Sequence, residues 1–104
     1  MNTHKVKITV LKRMDPKDVF QKPPVTPAEP LGVCDIFEDG QVFISEQYGR
    51  MPEGFPCGSA WNTIYGTVRT LAFGGIIPWY KEGDVSINCC TDGLRPVVFK
   101  IERI

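Results

Sequence analysis

Histidine is almost missing from this chain: His4 is the only one, and near an N-terminus it is more plainly an end residue than a ligand or base. A Cys-His dyad or a histidine-rich metal site is therefore a poor fit. Net charge is missing too, because 12 Lys and Arg offset 12 Asp and Glu. With no basic block and no RNA-type aromatic motif, nothing points to nucleic acid as a partner. A near-neutral chain gains little repulsion between copies, which leaves a homo-oligomer open. No apolar run is long enough to span a bilayer. Met1-Asn2-Thr3-His4-Lys5-Val6-Lys7 enters a strand pattern without the apolar core of a signal peptide. The expectation is a cytoplasmic protein with no membrane partner, its four cysteines reduced. There is no nucleophile elbow, Walker loop, dinucleotide fingerprint or zinc-protease motif, so no cofactor is implied by motif.

What is present suits one domain, residues 1–104, with one core. Lys5 to Leu11 alternates, with Val6, Ile8 and Val10 on one face, as a half-buried strand does. Pro16, Pro23, Pro24, Pro27 and Pro30 make residues 15–31 a proline-rich surface loop without regular structure. Val33 to Phe37 and Gln41 to Ser45 flank Glu38-Asp39-Gly40 and read as a hairpin, with Gly40 left-handed.

Ser59 can cap a helix in which Trp61, Ile64, Tyr65, Val68 and Ala72 share a face, and Gly74-Gly75 closes it. Gly66 inside that helix suggests close approach of another backbone. A last hairpin joins Val85–Cys90 to Val97–Ile104. Register follows the buried face, so Val85 and Ile87 are expected to face the core and a three-residue turn with Gly93 left-handed is preferred, pairing Val85 with Phe99 and Cys89 with Arg95. The alternative is a two-residue turn that puts Ser86 opposite Phe99. The expected fold is α+β: a small antiparallel sheet in β-ββ-α-ββ order on one amphipathic helix, with barrel-like closure left open.

Chemistry is most concentrated in the thiols, which fall at element ends, where sites are commonly built. Cys57, before the helix, is the best nucleophile candidate, because a helix N-terminus favours negative charge on sulfur. Cys90 is the second, and Glu53 a candidate acid or base beside Cys57. Cys89 and Cys90 point to opposite faces of a strand, so they cannot chelate one metal together. No C-x-x-C pair exists, and a metal site would have to be assembled from Cys34, Cys57 and Cys89 or Cys90. The plainer reading is that reduced cysteines are small core residues. Arg95 could clamp a small anionic ligand, although a surface ion pair is as ordinary, and Asp92 most plainly serves its turn. Trp61 and Trp79 could wall a pocket, although a core role is commoner for aromatics.

Several motifs together resemble a family of small prokaryotic proteins of about this length. They are Met51-Pro52-Glu53-Gly54-Phe55, Trp61 with Ile64-Tyr65, Phe73-Gly74-Gly75, Pro78-Trp79, and the closing run from Cys89 to Ile104. In that family a cysteine follows Gly-Phe directly, whereas here Pro56 intervenes before Cys57, and the proline-rich loop is peculiar to this chain. The resemblance implies a shared fold and no activity.

Three readings of function stay open. One is a thiol-dependent or ligand-binding protein with a pocket between the helix start, the Trp79 loop and the Cys89–Arg95 hairpin. Another is a non-catalytic domain that oligomerises or docks to a partner. The third is a cysteine-ligated metal site.

Overall fold

The computed structural model describes residues 2–104. Strand β1 (Val6–Arg13) is followed by a one-turn helix α1 (Pro16–Val19), β2 (Val42–Ser45), the main helix α2 (Gly58–Ala72), β3 (Val85–Cys89) and β4 (Val97–Arg103). The strands form one antiparallel sheet in the order β2-β1-β4-β3. The fold is α+β, with α2 on one face of an open, four-stranded sheet.

Alternation in β1 works as the pattern predicts: Val6, Ile8 and Val10 are fully buried under α2. On the same face, Val97, Phe99 and Ile101 of β4 meet Ala60, Ile64, Val68, Leu71 and Ala72 of the helix. Each such aliphatic or aromatic side chain contributes roughly 1.5–3 kcal/mol by leaving water. Phe37, Phe43, Phe55 and Phe99 pack edge-on or tilted at 4.9–6.3 Å between ring centroids, and Trp61 adds to them at 5.7 Å from Phe55.

A bulge breaks the β1–β4 ladder between Val10 and Lys12. The extra residue reverses the alternation, so that Arg13 lies opposite Val97 on the helix side instead of facing outward. Its guanidinium then donates to the carbonyls of Cys34 at 2.8 Å and Phe37 at 2.9 Å, and pairs with Asp39 at 3.0 Å.

That cation explains the first departure from the sequence reading. Residues 33–37 form a bent loop, not a strand, and β2 pairs with β1. A hairpin would need the carbonyls of Cys34 and Phe37 for a ladder, and Arg13 takes them. The turn itself survives: Gly40 has φ +83° and its N–H donates to Val10. The proline-rich stretch also departs, because α1 opens it. Asp15 accepts from the N–H groups of Lys17 and Asp18 while Asp18 accepts from Asp15, a capping box with Pro16 in the first turn.

Helix α2 begins earlier than a Ser59 cap would allow. Cys57 is the N-cap, and its sulfur accepts from the Ala60 N–H at 3.4 Å. Gly74, at φ +86°, follows the helix as expected. Gly66 does not mark a close approach: nothing lies within 4 Å of the position a Cβ would take. Tight contacts on α2 come instead from Gly49 (φ +64°), where a Cβ would stand 2.9 Å from the Arg69 Cα, and from Gly75, where one would stand 2.8 Å from the Thr70 carbonyl oxygen.

The last hairpin has neither expected turn. Val85 pairs with Glu102, Ser86 with Ile101, Asn88 with Phe99 and Cys89 with Val98. The Cys90 N–H donates to Val97, leaving a six-residue loop, Thr91 to Pro96, and Gly93 is not left-handed. The register inverts the expected faces. Ser86 and Asn88 turn toward α2, where Asn88 Nδ2 donates to Thr67 at 3.3 Å. Val85, Ile87 and Cys89 turn outward.

Candidate functional site

Pairing of Cys90 with Val97 across that loop puts Cys90, and not Cys89, on the helix side of the sheet. There it lines a cleft together with two cysteines from distant segments. The 34–37 loop, held by Arg13, brings Cys34, and the start of α2 brings Cys57. All three are half-buried against the core and line one cleft of about 220 Å³. Ile36, Phe37 and Val97 form its apolar wall, and Ser59, Thr91, Asp92 and Arg95 supply polar groups.

Two of the sulfurs face backbone donors. Cys57 Sγ accepts from Ala60, and Cys90 Sγ accepts from the Val97 N–H at 3.3 Å. The latter replaces the carbonyl that a regular ladder would offer to Val97. First-turn amides of α2 and the absence of any acidic residue in that turn give this end of the cleft a positive partial charge. Arg95 adds a full one. Its Nε lies 3.5 Å from Asp92 Oδ2, a partly exposed pair, while Asp92 Oδ1 accepts from the N–H groups of Leu94 and Arg95. Asp92 therefore builds its loop, as expected, and also positions the guanidinium. A cleft with three thiols, one guanidinium and two hydroxyls can hold a small anionic or electrophilic ligand within reach of sulfur.

The structure gathers Cys57, Cys90, Asp92 and Arg95 from the residues singled out in the sequence. Other candidates lie elsewhere. Glu53 is exposed and lines a separate small cavity with Ile44, Glu46 and Arg50, so it does not face Cys57 across the thiol cleft. Trp61 packs in the aromatic cluster between Phe55 and Tyr65. Trp79 is 74% exposed and follows the far end of α2, and a 15-residue helix separates its ends by about 22 Å. The Trp79 loop is thus not a wall of this cleft.

Cys89 is exposed on the outer sheet face, away from Cys34 and Cys57, because strand neighbours point to opposite sides. Among the described residues, no group of three or more His, Cys, Asp or Glu side chains is placed to hold a metal ion. No helix among them is long and apolar enough to cross a membrane.

Three contributors escape a reading of the sequence. Arg13 shows itself only through the bulge, which no local signal announces. Ile36 and Phe37 carry a strand pattern, and only the loop geometry turns them to the cleft. A larger cavity, about 520 Å³, lies where the proline-rich loop folds over α1. It is lined mainly by prolines and aliphatics, and the Asp15 carboxylate there is committed to its cap. The thiol cleft is smaller but holds the reactive groups. Comparison of the chain with family models, curated proteins and solved structures finds no match.

Proposed function

We propose that the protein is a thiol-dependent binder of a small anionic ligand, with Cys57 and Cys90 as the reactive groups and Arg95 as the anion clamp. One observation carries this reading. Three of four cysteines, drawn from segments more than twenty residues apart, converge on a single cleft that Arg95 also lines. Cysteines serving only as small core residues would need no guanidinium beside them. The N–H groups aimed at two of the sulfurs fit the same role, since each is complementary to negative charge on sulfur. A cytoplasmic, reducing setting keeps all four thiols free for it.

Paired alkylation tests the proposal. The native, reduced protein is treated with neutral iodoacetamide or anionic iodoacetate, and each cysteine is followed by mass spectrometry. Exposed Cys89 reports the intrinsic preference between the reagents. Cys57 or Cys90 should favour iodoacetate several-fold relative to Cys89, and Arg95→Gln should erase that bias. Full protection of Cys34, Cys57 and Cys90 against both reagents, with Cys89 labelled, would reduce the three thiols to packing.

A further inference from the structure

The outer edge of the sheet carries an observation that the thiol cleft leaves unused. In an antiparallel pair, alternate residues exchange backbone hydrogen bonds with the neighbour, and those between them turn their N–H and C=O away. Along β3 the bonded positions are even-numbered, because Asp84 accepts from Arg103 and Cys90 donates to Val97 in the same register. Val85, Ile87 and Cys89 therefore direct their backbone groups to the open edge. Among the described residues, only the Cys89 carbonyl finds a side-chain partner, the Thr63 hydroxyl at 3.1 Å.

Edges of this kind are normally blunted by charge, proline or a bulge. Strand β3 has none of these. Its outward side chains are apolar, and Ile87 is 44% exposed. The opposite edge differs: β2 has only four residues, and the segment from Glu46 to Glu53 folds beside its Ile44.

The helix above the edge is prepared in the same way. Thr63 and Thr67 mark the side of α2 that faces β3. Ser59, Thr63, Gly66 and Thr70 follow one another along that flank at spacings of four, three and four, so that only small side chains project there. The one charged residue of α2, Arg69, lies on another flank, stacked on Tyr65 and Phe73.

We infer that β3 pairs antiparallel with β3 of a second copy of this chain, about a two-fold axis at Ile87. The strand is self-complementary in that arrangement. Ile87 meets Ile87 of the second copy as a bonded pair through its free edge groups, and Val85 meets Cys89, whose carbonyl offers its second lone pair beside the Thr63 hydroxyl. The two sheets become one of eight strands, and the apolar side chains of both β3 strands form a continuous strip on its outer face. On the helix side Ser86 stands opposite Asn88 at a non-bonded position, where side chains approach most closely.

The helices agree with this register. With strands about 4.8 Å apart and α2 lying over β3 and β4, each helix axis runs about 5 Å from the seam. The two axes are then about 10 Å apart, the upper end of ordinary helix packing, where a stripe of Ser, Thr and Gly fits. An extended peptide could use the strand edge but would leave that stripe and Gly66 uncovered. A second copy covers both.

Sedimentation equilibrium and disulfide trapping test the inference on the full chain. The wild type should run at twice its 11.7 kDa mass at sub-millimolar concentration. Ile87→Lys sets two ammonium groups against each other on the axis, at an exposed site, and should yield a folded monomer. Gly66→Leu occupies space that is empty in the single chain and should also dissociate the pair without unfolding it. In a Cys89→Ser background, Ile87→Cys should oxidise to a covalent dimer, since bonded cross-strand pairs lie about 5.5 Å apart at Cα. Val85→Cys in that background should not, because the position opposite it in the other copy has lost its thiol. A monomeric wild type overturns the inference, as does a dimer that survives Ile87→Lys or cross-links equally through Val85→Cys.

Discussion

Replacing Arg13 with Ala tests the link between the β1 bulge and the thiol cleft. The guanidinium donates to two carbonyls that belong to no ladder, at 2.8 and 2.9 Å, and its side chain is only 22% exposed. Charge-assisted bonds of this kind contribute roughly 1.5–3 kcal/mol each, and the lower figure suits a site that water partly reaches. The ion pair to Asp39 is screened, the carboxylate being 60% exposed, and adds at most about 1 kcal/mol. Arg13→Ala should therefore destabilise the protein by about 3 kcal/mol. For a chain of this size that lowers Tm by about 12–24 °C. Urea unfolding followed by tryptophan fluorescence measures the loss. Because the same bonds hold residues 34–37 against the cleft, Cys34 should alkylate several-fold faster in the variant. Arg13→Lys, which keeps the charge but not the fork, should fall between the two. Asp39→Ala should cost no more than about 1 kcal/mol. A loss under about 1 kcal/mol for Arg13→Ala, with Cys34 labelling unchanged, would show that the loop is held by packing on Phe37 and not by the cation.

Cys57→Ser should keep or raise stability by up to about 1 kcal/mol, since serine is a better N-cap acceptor than a thiol, while abolishing any cleft reactivity assigned to that residue. Calorimetry with the iodoacetate assay separates the two effects, and a destabilised Cys57→Ser would contradict the cap geometry. Gly49→Ala should cost about 2–4 kcal/mol, because φ is +64° and the added Cβ meets the Arg69 backbone at 2.9 Å. Gly40→Ala, at φ +83° but with open space around it, should cost only about 1 kcal/mol, and equal losses at the two sites in urea melts would refute the steric part.

Legibility in the sequence followed the range of the interaction. Strand β1 and helix α2 could be read from periodicity because each buries one face, and a face recurs at fixed spacing whatever covers it. The Gly40 and Gly74 positions could be read because positive φ is a local steric demand. The capping box at Asp15 was legible in principle, as Asp-Pro-x-Asp, but the surrounding prolines obscured it. Candidate thiols and Arg95 could be named from residue chemistry alone.

The assignment of faces in β3 went the other way for a physical reason. Apolar Val85 and Ile87 were expected inside, yet in this edge strand polar Ser86 and Asn88 take that side, with Thr67 as a partner for Asn88. The reversal exchanged the roles of Cys89 and Cys90. A one-residue bulge in β1 likewise turned Arg13 inward and converted a predicted strand into the wall that carries Cys34. Residue identity and local period were enough for the α+β class, the main helix and the list of reactive groups. Which three thiols line one cleft, and which one stays outside, rested on register and on one half-buried cation, because those depend on contacts between separate elements that local period does not relate.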